Sequence, residues 1–147
     1  MNRNLVVYLA APWADRAEAR EVRDIITSHG IEVNSRWLDT HHTTEEEATH
    51  EVLSKEALND VEDVLNCDIL MLWNTQKSEG KAVETGMALI AQKGIILIGD
   101  RSNVFHHLSF PQVSTLEEAI WTAKNYPWKP GQEPLDGDPL FSTEDWL

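Results

Sequence analysis

Apolar positions along this chain follow two rhythms in turn. Residues 4 to 10, NLVVYLA, form a nearly unbroken apolar run of the length of a buried strand. Residues 13 to 28 then set Ala19, Val22 and Ile26 on one stripe with Ile25 alongside, the spacing of a helix, with Pro12 suited to its first turn and His29 and Gly30 to its stop. IEVNSRWL, 31 to 38, alternates as a second strand, and the polar, acidic DTHHTTEEEATHE after it reads as a loop or a poorly packed helix start. Helical spacing returns over 52 to 66 through Val52, Leu53, Ala57, Val61 and Val64, followed by a third strand, CDILMLW, at 67 to 73. SEGKAVETGMALIAQK predicts another helix, GIILIG (94 to 99) a fourth strand, and 110 to 113 a short apolar piece. Ser114 and Glu117 form a capping box that opens a last helix through Ala119, Ile120 and Ala123.

Strands alternating with helices of these lengths predict the α/β class: a doubly wound, Rossmann-like parallel sheet of about five strands with helices on both faces. Such sheets bind ligands at the carboxyl ends of their strands, where the strand order switches. That rule selects four loops, AAPWADR, DTHHTT, NTQKSEG and DRSNVFHH. Residues 1–126 are expected to form the domain. Residues 127–147, a Pro-rich acidic tail with four of the chain's six prolines, are expected to pack on the domain or on a neighbouring subunit. Trp128, Phe141 and Trp146 would pin that tail down, or alternatively cover a ligand pocket.

Composition narrows the function classes. The 147 residues, 41% hydrophobic, suffice for one continuous core. No apolar run approaches a membrane span and charge enters too early for a signal peptide, so a cytoplasmic protein is expected. The single Cys67 sits in an apolar run and reads as a core residue. A formal charge of −13 argues against nucleic-acid polymers and anionic membranes as partners, while leaving room for one small ligand at a helix N-terminus.

The third of the four loops holds the most chemistry. On a wheel of about 100° per residue, Glu84 falls among Met87, Ala88 and Ala91 in the apolar sector, with Lys81, Thr85 and Gln92 on the wet side. Ser78 is a plausible N-cap, and Gly80 lets a ligand approach the positive end of the helix dipole. A carboxylate one turn in is expected to be biased toward its charged form where the dipole outweighs desolvation. Such a group is suited to attack a sugar's anomeric carbon; the alternative is a structural pair with a cation or a backbone amide. Trp13 and Trp37, near strand ends, are candidates for stacking on a nucleobase, with ordinary packing as the alternative. His41, His42 and His50 with Glu45 to Glu47 match no zinc spacing, so no metal is expected. No GxGxxG or Walker loop is present, so no nucleotide cofactor is expected.

TQKSEGKAVETGMALIAQKGIILIG, with VVYLAAP and LNDVEDVLNCDILMLW, resembles the nucleoside 2-deoxyribosyltransferase superfamily, which includes the deoxynucleoside 5′-monophosphate N-hydrolases. The likeness runs through most of residues 4 to 108 and is most specific from Gly80 to Gly86. It implies that Glu84 is the nucleophile at C1′ of a deoxyribosyl group, that Tyr8 lies beside it, and that Asp60 contacts substrate and assists departure of the base. It further implies a substrate contact at Ser78, and a neighbouring subunit completing the site near Asn103 and His106, hence a homo-oligomer, dimer or higher, acting on a small nucleoside or nucleotide. AAPWADR departs from the hydrolases, which carry Ser and Arg donors there, with Arg16 coming later in this chain. Ser78 departs from the transferases, which often carry an acid. The resemblance therefore implies glycosidic cleavage and leaves the acceptor, base or water, open. A non-catalytic nucleotide-binding or sensing domain of the same fold is the alternative.

Overall fold

The apolar runs lie side by side in the computed structural model, which describes residues 4–40 and 48–126. Within them, β1 (Val6–Ala10), β2 (Glu32–Val33), β3 (Ile69–Asn74), β4 (Gly94–Gly99) and β5 (Gln112–Val113) form one parallel sheet in the order β2-β1-β3-β4-β5. Helices α1 (Arg16–Ser28), α2 (His50–Leu65), α3 (Glu79–Ile90) and α4 (Leu116–Lys124) surround it. The predicted class, a doubly wound α/β sheet, is the observed one. The strand order reverses between β1 and β3, which makes the carboxyl ends of those strands the expected ligand position.

The centre is β3 against β4, in register from Ile69 with Gly94 to Asn74 with Gly99. Val7, Leu9, Leu70, Met71, Ile96 and Leu97 are fully buried there, each worth about 1.5–3 kcal/mol of apolar transfer. Tyr8 on β1 and Leu70 and Leu72 on β3 share the face covered by α2 and α3, since Tyr8 reaches Glu84 of α3 and pairs in register with Leu70. On the other face, Tyr126, just beyond α4, lies over Gly94 and Ile69. A Cβ on Gly94 would stand 2.9 Å from the tyrosine ring. The Tyr126 hydroxyl accepts the Ile95 N–H at 3.0 Å.

Three expectations need correction. The second strand is only Glu32–Val33, paired with Val6 and Val7, and a 3-10 turn at Arg36–Asp39 follows in place of the rest of IEVNSRWL. The polar residues have their own partners: Ser35 Oγ accepts the Leu9 N–H at 2.7 Å, and Arg36 turns aside, its Nε–H donating to both oxygens of the buried Asp63 carboxylate at 3.0 and 3.1 Å. Trp37 and Leu38 then drop into the core. The cap of α4 is Thr115 rather than Ser114, its Oγ1 accepting the Glu118 N–H at 3.1 Å. Most of the apolar positions of α2 look outward: Val52 and Val61 are exposed, and of the five predicted positions only Val64 is fully covered.

Cys67 is buried as expected, its thiol pushed up to about 12 by that burial. Among the described residues no helix is long and apolar enough to cross a membrane. Residues 127–147 and the 41–47 part of the acidic stretch lie outside the described residues.

Ser35 is buried, and its hydroxyl serves a β1 amide that has lost its strand partner. Ser35→Ala strands that N–H and is expected to lower stability by about 1–3 kcal/mol. A fall in the urea midpoint at unchanged slope reads this out; an unchanged midpoint refutes it.

Candidate active site

The switch point brings β1, α2 and α3 together around two carboxyl groups. Ser78 opens α3, its Oγ accepting the Lys81 N–H at 3.3 Å. Glu84, one turn further in and partly buried, accepts a hydrogen bond from the Tyr8 hydroxyl. Gly80 lies in the same place. A Cβ there would sit 3.7 Å from Ser78 Oγ and 4.0 Å from Glu84 Oε1, so its absence leaves the approach to the carboxyl group open.

The buried face of α3 differs from the wheel. Lys81 and Thr85, expected on the wet side, face the sheet with Ala88. Their polar atoms are satisfied locally: the Lys81 ammonium donates to Asn74 Oδ1 and the Gln76 carbonyl, and Thr85 Oγ1 donates to the Lys81 carbonyl at 2.7 Å. A wheel sorts residue types and does not see such partners, which remove the reason for a polar residue to face water.

The charged form of Glu84 is expected only where desolvation is outweighed, and desolvation is the largest influence on it. Burial, reinforced by the charge of Asp60, pushes its carboxyl up to about 8 against the opposing pull of Tyr8 and Lys81. Asp60 of α2 is raised to about 6, by burial first and then by the charges of Asp63 and Glu56. Its Oδ1 is buried with no hydrogen-bond partner among the described residues. Burial and the charges of Glu84 and Asp60 together push the Tyr8 phenol far up, so it remains a hydrogen-bond donor at any ordinary pH. Between about 6 and about 8 the acid pair thus holds one proton.

On the other side of the start of α3 is a cavity of about 360 Å³, lined among others by Leu72, Asn74, Lys81, Ser102, Asn103 and His106. Ser78 borders it too, whereas Glu84, Tyr8 and Asp60 do not. Asn103 caps the 3-10 turn Val104–His107, its Oδ1 accepting the Phe105 and His106 amides. His106 is buried, its Nδ1 accepting the Ser102 N–H at 2.9 Å, and desolvation lowers its pKa, leaving the ring neutral near pH 7. The structure therefore gathers Tyr8, Asp60, Ser78, Gly80 and Glu84, and sets Asn103 and His106 on the adjoining cavity.

Trp13 and Trp37 form a tilted pair with ring centroids 6.2 Å apart, and the Arg16 guanidinium lies 4.3 Å over Trp13. Trp37 is buried and donates its indole N–H to the Leu9 carbonyl at 2.9 Å, the packing role offered as its alternative. Arg16 also donates to the Thr40 carbonyl at 3.1 Å. Among the described residues no cluster of His, Cys, Asp and Glu is assembled for a metal, and His41, His42 and Glu45 to Glu47 lie outside them.

Sequence reasoning missed Asn74. Its Oδ1 receives Lys81 while its Nδ2 donates to the Asp100 carbonyl and to Ser102 Oγ, so one side chain ties α3 to the loop after β4. Gly99, with φ of +111° and room for a Cβ only 3.0 Å from the Asn74 carbonyl, permits that close passage. A polar residue closing an apolar strand at its carboxyl end was the available signal.

A folded Glu84 that keeps its proton to about 8, against 4.5 in an open chain, makes the folded state bind more protons across that window. Stability contributed there falls as pH rises through it. Glu84→Gln is expected to flatten the decline, measured as the difference between wild-type and variant urea unfolding over roughly pH 5 to 9. Parallel curves for the two proteins would contradict the assignment.

No protein-family model and no curated protein matches the chain. Solved structures do. A CMP N-glycosidase of Clostridium botulinum is 20% identical with a TM-score of 0.51, the match covering 82% of this chain and 99% of that one. A 2-deoxyribosyltransferase of Bacillus psychrosaccharolyticus is 20% identical with a TM-score of 0.59, covering 78% and 90%. A conserved protein of Enterococcus faecalis V583 is 16% identical with a TM-score of 0.63, covering 84% and 99%. The chain has the fold of these proteins, over nearly their whole length.

Proposed function

We propose that this protein is an enzyme of the nucleoside 2-deoxyribosyltransferase superfamily that cleaves the N-glycosidic bond of (deoxy)nucleosides or their 5′-monophosphates through Glu84. The observation that carries this reading is the desolvated Glu84 carboxyl, held by Tyr8 at the strand-order switch with a second acid, Asp60, near enough for its charge to act on it. Two independent lines support it: the sequence motif around Gly80 to Gly86, and a fold shared with an N-glycosidase and a deoxyribosyltransferase.

The chemistry follows from the acid pair. The glycosidic C1′–N bond breaks as Glu84 oxygen bonds to C1′, and Asp60 gives its proton to the departing base. In the second half a new base, or water, attacks C1′, the Glu84 ester bond breaks, and the proton of the attacking group returns to Asp60. The productive form of the pair has Glu84 ionised and Asp60 protonated. Tyr8, a permanent donor, stabilises the ionised Glu84 oxygen. Ser78 and Gly80 line the approach, Asn103 and His106 the adjoining cavity, and Trp13 supplies an aromatic surface beyond β1.

Base release and base exchange on a panel of deoxynucleosides and their monophosphates test the reading. Wild type is expected to turn over at least one of them, and Glu84→Ala to lose at least about 100-fold in rate. A wild type that binds nucleotides yet neither releases nor exchanges base sinks the enzyme reading in favour of a nucleotide-binding domain.

The pH profile separates the two acids. For wild type, kcat/KM is expected to follow a bell with limbs near about 6 and about 8. Asp60→Asn needs only an ionised Glu84, so its residual activity should rise with pH and lose the alkaline fall. Retention of that fall would remove Asp60 from the proton transfer.

A further inference from the structure

Lys81 is the one lysine or arginine that the fold buries among the described residues, only 3% exposed. Taking an ammonium out of water is costly, and desolvation lowers its pKa accordingly. Its two acceptors, Asn74 Oδ1 and the Gln76 carbonyl, are both neutral, so the charge is hydrogen-bonded without being cancelled. Tying α3 to the end of β3 needs a donor and no charge, and a glutamine amide carries donors too. The tie therefore accounts for the hydrogen bonds of Lys81 and leaves its charge unexplained.

That charge stands three residues before Glu84, the spacing of side-chain neighbours on one helix. Glu84 is acted on by Tyr8 from β1, Asp60 from α2 and Lys81 from its own helix, and Lys81 is the one cation among them. Asp60 is acted on by Asp63 and Glu56 of α2 and by a different cation, Arg36, from the turn after β2. Each acid thus has a cation of its own. Arg36 favours the ionised form of Asp60, and Lys81 the ionised form of Glu84. Lys81 itself faces Asp15 of the loop after β1 and, across the cavity, His106, whose ring burial already keeps neutral.

We propose that Lys81 is a positioning residue of the reaction: its ammonium, pinned by Asn74 and the Gln76 carbonyl one turn before Glu84, favours the carboxylate of Glu84 over that of Asp60 and so directs the pair's one proton to the acid that gives it to the base. The proposal rests on the glycosidic reading for its consequence. Above both limbs of the pH profile the productive form is reached by adding a proton to Asp60, on which Lys81 does not act; below both it is reached by taking one from Glu84, which Lys81 favours. Losing the charge therefore costs rate on the acid side alone.

The ratio of kcat/KM at about pH 5 to that at about pH 9 reads this, because a general loss of structure or substrate contact lowers both ends alike and divides out. Lys81→Gln is expected to lower the ratio about 3- to 10-fold, the effect of half to one pKa unit on Glu84. Asn74→Asp keeps an acceptor for the ammonium while cancelling its charge, so it should lower the ratio in the same direction and decides the matter where circular dichroism shows Lys81→Gln unfolded. An unchanged ratio in the folded variant overturns the proposal. Urea unfolding separates its failure from that of the glycosidic reading. The stability difference between wild type and Glu84→Gln should go on declining to a higher pH when both carry the substitution at Lys81 or Asn74, whether or not any substrate is turned over. Without turnover, a window that moves upholds the action of Lys81 on Glu84 and sinks only the reaction; a window that stays in place removes Lys81 from the ionisation of Glu84.

Discussion

Keeping one carboxyl group out of water is the demand around which the carboxyl end of this sheet is organised. Glu84 accepts a hydrogen bond from the buried Tyr8 phenol, feels the charge of a second acid, Asp60, and keeps a proton well beyond its usual range. Holding it requires that α3 not slide or fray. The buried Lys81 provides this from inside the helix, binding Asn74 and the Gln76 carbonyl and through Asn74 the loop after β4. The loop after β1 joins the same end, with Thr75 donating to Asp15. The acid, its helix and three loops therefore behave as one unit.

Two aspartates on α2 show how narrowly such a setting is drawn. Asp63 is buried but engaged, taking the Arg36 backbone amide and its guanidinium. Asp60, three residues earlier, turns one oxygen into a place without a donor and is pushed up to about 6. The charge of Asp63 contributes to that rise. One acid anchors the turn after β2, and its charge helps raise its neighbour.

Much of the scaffold was legible in the sequence because burial on both faces leaves unbroken apolar runs. β1, β3 and β4 lie where NLVVYLA, CDILMLW and GIILIG predict them, and α1 and α3 where their stripes do. What failed had partners far away in sequence. Ser35 and Arg36 end β2 early because Leu9 and Asp63 draw them off, and Lys81 turns inward because Asn74 and Gln76 wait for it. Glu84 stood out as an acid among apolar residues, and Gly80 to Gly86 marked its neighbourhood. Its proton was invisible, because Tyr8 and Asp60 come from two other elements and desolvation is a property of their assembly. The outward stripe of α2 reads as ordinary amphipathicity until the sheet is seen to bury Val64 and leave Val61 out.

Cys67 has a practical side. It is the chain's one cysteine, sealed at the entrance to β3 with a thiol raised to about 12, so in the native state it is blind to thiol reagents. Its modification rate is therefore a clock for opening of the central sheet, with no label to introduce and no competing thiol to remove. A probe cysteine placed anywhere on the surface would report alone for as long as the core stays shut.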